Sequence, residues 1–206
     1  ELSKIYSVLG KLEQGDHLIK ERPFLEPHHA ATDTALIGGG RNSAPGIVSL
    51  CHHGVLFLDE FPQFKQEVLE SLRQPLEEHT VTVARLHASY TYPASFQLIA
   101  AMNPCLCGAY PDKEKCRCTT QQIRQYIGEI SQPILDRMDM TIEVFPIKYE
   151  RLRKESKGES SAAIKKRVYA ARKSQEKRFK TIGISCNAEM TRKEIETFCC
   201  LDEKGE

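Results

Sequence analysis

The run Val55-Leu56-Phe57-Leu58-Asp59-Glu60 constrains this chain most: four apolar residues, then two adjacent carboxylates. Four or five unbroken apolar residues suit a strand buried on both faces, as in a parallel sheet covered by helices. Such a strand delivers both acids to its carboxyl end, where open α/β sheets bind ligands. A plainer role competes at this point, because an acid at a strand end also caps the following turn.

A second run narrows the choice. Phe96-Gln97-Leu98-Ile99-Ala100-Ala101-Met102-Asn103 reads as a neighbouring buried strand that carries Asn103 to the same end. A third element, Leu135-Asp136-Arg137-Met138-Asp139, reads as a helix end before a further strand and puts Arg137 at a surface. Acids, amide and arginine in this order suit phosphoryl transfer. Asp59 fits a nucleotide-bound magnesium, as in a Walker B strand, and Glu60 fits the polarisation of an attacking water. Asn103 can hydrogen-bond the γ-phosphate or that water. Arg137 can reach a neighbouring subunit and neutralise phosphate charge, or else pair with Asp136 or Asp139. The usual partner of such a strand, a G-x-x-x-x-G-K-[ST] phosphate loop, occurs nowhere in the 206 residues. The one glycine run, Gly38-Gly39-Gly40, leads into Arg41-Asn42 instead.

Along the chain, residues 1–10 read as a helix end and 22–37 as mixed strand and loop. Residues 38–46 read as a mobile loop without regular structure, and 47–53 as a short helix. Residues 64–78 read as one helix whose last turn Pro75 kinks. A β-hairpin is expected over 80–93 with its tip at 85–89, helices over 119–129 and 131–138, and a last strand over 140–145. Beyond residue 146 the chain reads as polar and helical: 148–155, then 160–180 capped by Ser160 or Ser161, then 188–199. The fold class is therefore α/β: a parallel sheet sandwiched by helices over 1–146, followed by an all-helical part over 147–206.

Hydrophobic content of 40% and charged content of 28% are ordinary for a globular chain, and a net charge of +1 names no partner. Residues 151–180 hold twelve Lys/Arg against three Asp/Glu, either a solvated helix face or a surface for an anion such as nucleic acid. No apolar run is long enough to cross a bilayer, and no secretory leader is visible. A cytoplasmic location is expected, with no membrane partner. The chain opens with Glu1 and not Met, which fits an excised segment of a longer protein.

Of eight cysteines, four form Cys105-x-Cys107 and Cys116-x-Cys118, eight residues apart. Four thiols in one short loop suit tetrahedral zinc, with free thiols or disulfides as the alternatives. C-x-C spacing strains chelation by both members of a pair. Lys113, Lys115 and Arg117 would offset the charge of a four-thiolate site. Cys51, Cys186, Cys199 and Cys200 lack such spacing and read as structural. Adjacent histidines on a strand point to opposite faces, so one metal site using both of His28-His29 or His52-His53 is awkward, and structural or loop roles are expected.

Several longer stretches carry a resemblance: Arg22-Pro23-Phe24, Pro27-His28-His29, the glycine run, Gly54 through Glu60, and Leu72-Arg73-Gln74-Pro75-Leu76-Glu77. Ala100 through Gly108, Cys116 through Thr119 and Ile134 through Asp139 complete the set. From residue 1 to about 203 the chain resembles the magnesium-chelatase-related AAA+ ATPases, most closely the YifB/ComM group. The resemblance implies a P-loop-type AAA+ core, truncated before residue 1, with a partial helical lid. It also implies a hexameric ring with ATP at subunit interfaces, and movement on single-stranded or branched DNA by branch migration. It places Asp59 and Glu60 on Walker B, Asn103 on sensor 1 and Arg137 on the arginine finger. The 38–46 loop and the hairpin fall on two pore-facing insertions, making Arg41, Asn42, Arg85 and His87 candidate DNA contacts. Phosphate contacts of this kind give affinity without sequence preference. The family's phosphate loop and sensor-2 arginine have no counterpart here, so no ATPase is expected of these residues alone. A zinc-stabilised nucleic-acid-binding module without turnover, and a chelatase-type motor acting on protein, are the alternatives.

Overall fold

A computed structural model describes residues 1–12, 18–40, 42–84, 89–145 and 158–200, in two units, Glu1–Ile142 and Glu143–Glu206. Three parallel strands organise the first unit: β1 (Phe24–Leu25), β4 (Val55–Leu58) and β7 (Gln97–Ala100), in the order β1-β4-β7. Register pairs Leu25 with Leu56, Leu56 with Leu98, and Leu58 with Ala100, so these side chains share one face. That face is the core. Leu56 and Leu58 are fully buried there against Leu36, Val48, Val68, Leu69, Leu72 and Ile134 from the surrounding helices.

The α/β class with a parallel sheet holds, but the burial of β4 alternates. Val55 and Phe57 are only half-buried, Phe57 stacks on Phe24 at 6.0 Å, and Phe24 and Ile99 are exposed. Among the described residues, helices pack the second face only in part. An apolar run tells which residues can be buried, not whether a covering element is present.

The rest of the unit is short. Helix α1 spans Leu2–Val8, α2 Asp33–Ile37 and α3 Ile47–Leu50. Helix α2 lies inside the stretch expected as strand and loop, started by Thr32, whose hydroxyl accepts the Ala35 N–H at 3.2 Å. The 38–46 segment is not irregular either. Gly38–Gly39 (β2) pairs antiparallel with Ala44–Pro45 (β3). Gly38 makes this possible with a φ of 114°, where a Cβ would meet the Ala44 carbonyl at 2.5 Å.

The helix expected over 64–78 is two helices, α4 (Gln66–Glu70) and α5 (Arg73–Glu78), after a 3-10 turn at Phe61–Gln63. Pro75 lacks an N–H and would clash with the Ser71 carbonyl in a continuous helix, so the helix restarts and Pro75 falls in its first turn. Strands β5 (Thr80–Ala84) and β6 (Ser89–Pro93) form the expected hairpin. Helices α6 (Thr120–Gly128) and α7 (Gln132–Leu135) follow. The last strand expected over 140–145 is absent: these residues have no ladder partner among the described residues, and Met140, Ile142 and Val144 are 80% exposed or more. Alternation makes a strand only when a neighbouring edge accepts its hydrogen bonds.

The helix expected at 148–155 lies outside the described residues. The second unit holds α8 (Ser161–Arg178), capped by Ser160, and α9 (Arg192–Phe198). Phe179 is buried edge-on against Phe198, with ring centroids 5.5 Å apart. No described helix is long and apolar enough to cross a membrane.

Candidate functional site

Two backbone hydrogen bonds lace the exits of β4 and β7. Ala101 N–H donates to the Leu58 carbonyl at 2.9 Å, and Phe61 N–H donates to the Ala101 carbonyl at 3.0 Å. Asp59-Glu60 and Asn103 therefore leave the sheet at the same end. Glu60 adopts the left-handed conformation, with φ 53° and ψ 43°, which turns the chain out of the strand direction. Asp59 supports that turn by accepting the Glu60 N–H on its own carboxylate at 2.8 Å. Both acids stay solvent-accessible.

The exit of β1 contributes a residue that sequence reasoning passed over. His29 Nδ1 lies 3.2 Å from Glu60 Oε2. Phe64 braces the His29 ring edge-on at 6.4 Å, and His28 packs on it at 4.0 Å. His28 and His29 both lie in a loop after β1, as one of the two expected roles has it, and the alternation of a strand does not apply there. The available signal was the position of Pro27-His28-His29 just past the first of three parallel strands. Three strand exits thus converge: an imidazole from β1, two carboxylates from β4, an amide from β7. Residues of these types suit the binding of a cation and the orientation of a water.

Arg137 follows α7 and is exposed. It pairs with Glu77 on α5, not with Asp136 or Asp139. Asp136 is instead engaged by the Gln132 amide at 2.8 Å.

The four loop cysteines come together. Sγ separations are 3.4 Å for Cys105–Cys107, 3.8 Å for Cys105–Cys116 and 3.7 Å for Cys107–Cys116, and all four sulfurs lie within 4.8 Å of one another. Backbone amides of Ala109 and then Arg117 lower the Cys107 thiol to about 6. Cys51 is the contrast: burial pushes its thiol up to about 12, an inert core group. Cys199 and Cys200 are exposed, and Cys186 is partly so. Burial raises the Tyr126 phenol on α6 above its usual value, and the Asn103 backbone opposes that rise.

Of the candidate DNA contacts, Asn42 is exposed in the turn between β2 and β3, while Arg41, Arg85 and His87 lie outside the described residues. The two elements that carry them are neighbours. The Tyr92 hydroxyl of β6 donates to the Ser43 carbonyl at 2.7 Å, and Gly39 packs beside Val83 of β5.

Comparison with known proteins matches two family models to successive parts of the chain. Residues 1–152 match the family model described as magnesium chelatase, subunit ChlI, and residues 158–206 match its C-terminal model. The chain is 45% identical over 183 residues to the uncharacterised protein YifB of Salmonella typhimurium, covering 88% of this chain and 35% of that protein. It is 43% identical over 189 residues to the competence protein ComM of Haemophilus influenzae, covering 91% and 36%. The chain thus spans a little over a third of these relatives. Among solved structures, NtrX from Brucella abortus in complex with ADP superposes with a TM-score of 0.38 at 15% identity, over 56% of this chain and 24% of that one.

Proposed function

Since the chain belongs to the magnesium chelatase subunit ChlI family, we propose that it is the hydrolytic portion of a ring-forming AAA+ ATPase that couples ATP turnover to movement on DNA. The observation that carries this is the convergence of His29, Asp59, Glu60 and Asn103 at the carboxyl end of the parallel sheet. Asp59 would hold the magnesium of Mg-ATP, whose charge would neutralise the phosphates. Glu60 would orient the attacking water and accept its proton, and Asn103 would hydrogen-bond the γ-phosphate or that water. Arg137, released from Glu77, would reach a nucleotide held by the next subunit. The phosphate-binding loop would come from a segment outside residues 1–206, and the free edge of β7 is where its strand would add. Asn42, with Arg41, Arg85 and His87, would contact single-stranded or branched DNA through its phosphates. Zinc on the four thiols would be a structural ion, and the protein would be cytoplasmic.

The competence protein ComM among the relatives supports DNA as the track. The absence of any phosphate loop from the sequence favours a second reading, a nucleic-acid-binding module without turnover. One experiment separates them: steady-state ATP hydrolysis, with and without single-stranded DNA, by a chain extended to include the phosphate-binding segment. DNA-stimulated turnover that falls about 10²–10⁴-fold in E60Q, with nucleotide binding retained, is the expected result. Turnover insensitive to E60Q counts against the assignment of Glu60. DNA binding with no turnover supports the module instead. Turnover that ignores DNA favours a chelatase-type motor acting on a protein.

A further inference from the structure

We propose that Cys105, Cys107, Cys116 and Cys118 form a closed zinc(II) site whose metal locks the peptide carrying Asn103 to helix α6. The sulfur spacing is the first support. A zinc–sulfur bond of about 2.3 Å gives a tetrahedron whose edges are about 3.8 Å. The measured edges are 3.4, 3.8 and 3.7 Å. A disulfide needs about 2.05 Å, so the sulfurs stand at chelating distance and not at bonding distance.

The tight C-x-C spacing finds its answer in a turn. Gly108 N–H donates to the Cys105 carbonyl at 3.0 Å, and Gly108 sits at a φ of 74°. The chain doubles back there, and both sulfurs of the first pair face one point. A second turn, in which Cys116 N–H donates to the Asp112 carbonyl at 2.7 Å, brings up the other pair. Four thiolates and no harder donor select a thiophilic tetrahedral ion. All four positions are filled by protein, which is the arrangement of a structural centre and not of a catalytic one with an open position. Four thiolates and Zn²⁺ leave a charge of −2. The amides of Ala109 and Arg117 against Cys107, with Lys113 and Arg117 in the same loop, oppose it.

The site joins two elements. Asn103 lies two residues before Cys105, and a methyl placed on Gly108 would be 3.9 Å from the Asn103 Cγ and Oδ1, so the loop rests on that side chain. Cys118 directly precedes Thr119, which caps α6. The path from Asn103 through the four sulfurs leads directly into α6, and a metal cross-link removes most of its freedom. The consequence for ATP turnover rests on the motor assignment; the metal site does not.

The test begins with the chain produced in zinc-containing medium under reducing conditions and dialysed. One zinc per chain is expected by elemental analysis. Replacement by Co(II) should give intense thiolate-to-cobalt charge transfer and tetrahedral ligand-field bands. Amide hydrogen exchange at 101–103 and 120–128 should then quicken about tenfold or more when a chelator strips the metal, or in C116S, while β4 and β5 stay protected. The chelator arm on the unaltered chain covers the case in which C116S fails to fold. No retained metal, a cobalt spectrum of fewer thiolates, or two disulfides by mass would overturn the site. Zinc loss that leaves exchange at 101–103 unchanged would overturn the link to Asn103. Bound zinc with no ATPase in the extended chain would count against the motor and leave the metal centre standing.

Discussion

At the scale of single residues, two imidazoles do opposite work. His29 holds the Glu60 carboxylate from a neighbouring strand exit at 3.2 Å. Because His29 Nδ1 approaches that carboxylate so closely, H29A in a nucleotide-competent chain should lower kcat about tenfold, with KM for ATP little changed. H29N can still donate to the carboxylate and should recover most of the loss; equal kcat values in H29A and H29N would refute this positioning role. His52 is a buried structural group. Its Nδ1 accepts the Ser95 N–H at 3.1 Å, so its neutral form carries the proton on Nε2, 2.9 Å from the Glu1 carboxylate. Burial lowers its pKa, an effect that the Glu1 carboxylate opposes and the neighbouring His53 reinforces. The unfolded chain therefore takes the proton first. Stability should be full above about pH 6.5 and fall as pH drops through the lowered folded value. Urea unfolding midpoints from pH 8 to 5 measure this slope, and H52Q should flatten it.

At the scale of elements, local chemistry decides where helices begin. Thr119 and Gln122 form a reciprocal capping box at α6: the Thr119 hydroxyl accepts the Gln122 N–H at 3.2 Å, and the Gln122 side chain accepts the Thr119 N–H at 2.8 Å. T119A should cost about 1 kcal/mol and speed exchange in the first turn of α6, measured by denaturant titration and amide exchange. A loss confined to α6, with β4 unaffected, is expected; no change in either would show that the preceding cysteine loop alone fixes the helix start. Pro75 works in the opposite sense. Its ring splits one expected helix into α4 and α5, which lets Leu72 at the junction reach the core.

At the scale of the whole molecule, the first unit has one packed sheet face, one partly open face and, among the described residues, no strand on the outer edge of β7. Residues 1–206 by themselves should show no ATP turnover above background in a coupled assay, because no phosphate cradle is present in the sequence. Measurable magnesium-ATP hydrolysis by these residues would refute that. Adding the phosphate-binding segment should slow amide exchange along Gln97–Ala100 as the edge gains a partner; unchanged exchange would place that strand elsewhere. The sequence by itself determined the local facts: which runs could be strands, that 80–93 is a hairpin, that Ser160 or Ser161 starts α8, and that Asp59, Glu60 and Asn103 end apolar runs. Side-chain period, turn residues and caps act over a few residues, so they can be read from neighbours in the chain. Only tertiary structure decided what lies across space. It set which face of β4 is wet, which strand exit brings His29 to Glu60, which acid holds Arg137, and that 140–145 lies without a ladder partner among the described residues. It also turned two C-x-C pairs into one cluster resting on Asn103. Those outcomes depend on the register and twist of a sheet whose strands are 30 or more residues apart in sequence, and short-range pattern carries no record of them.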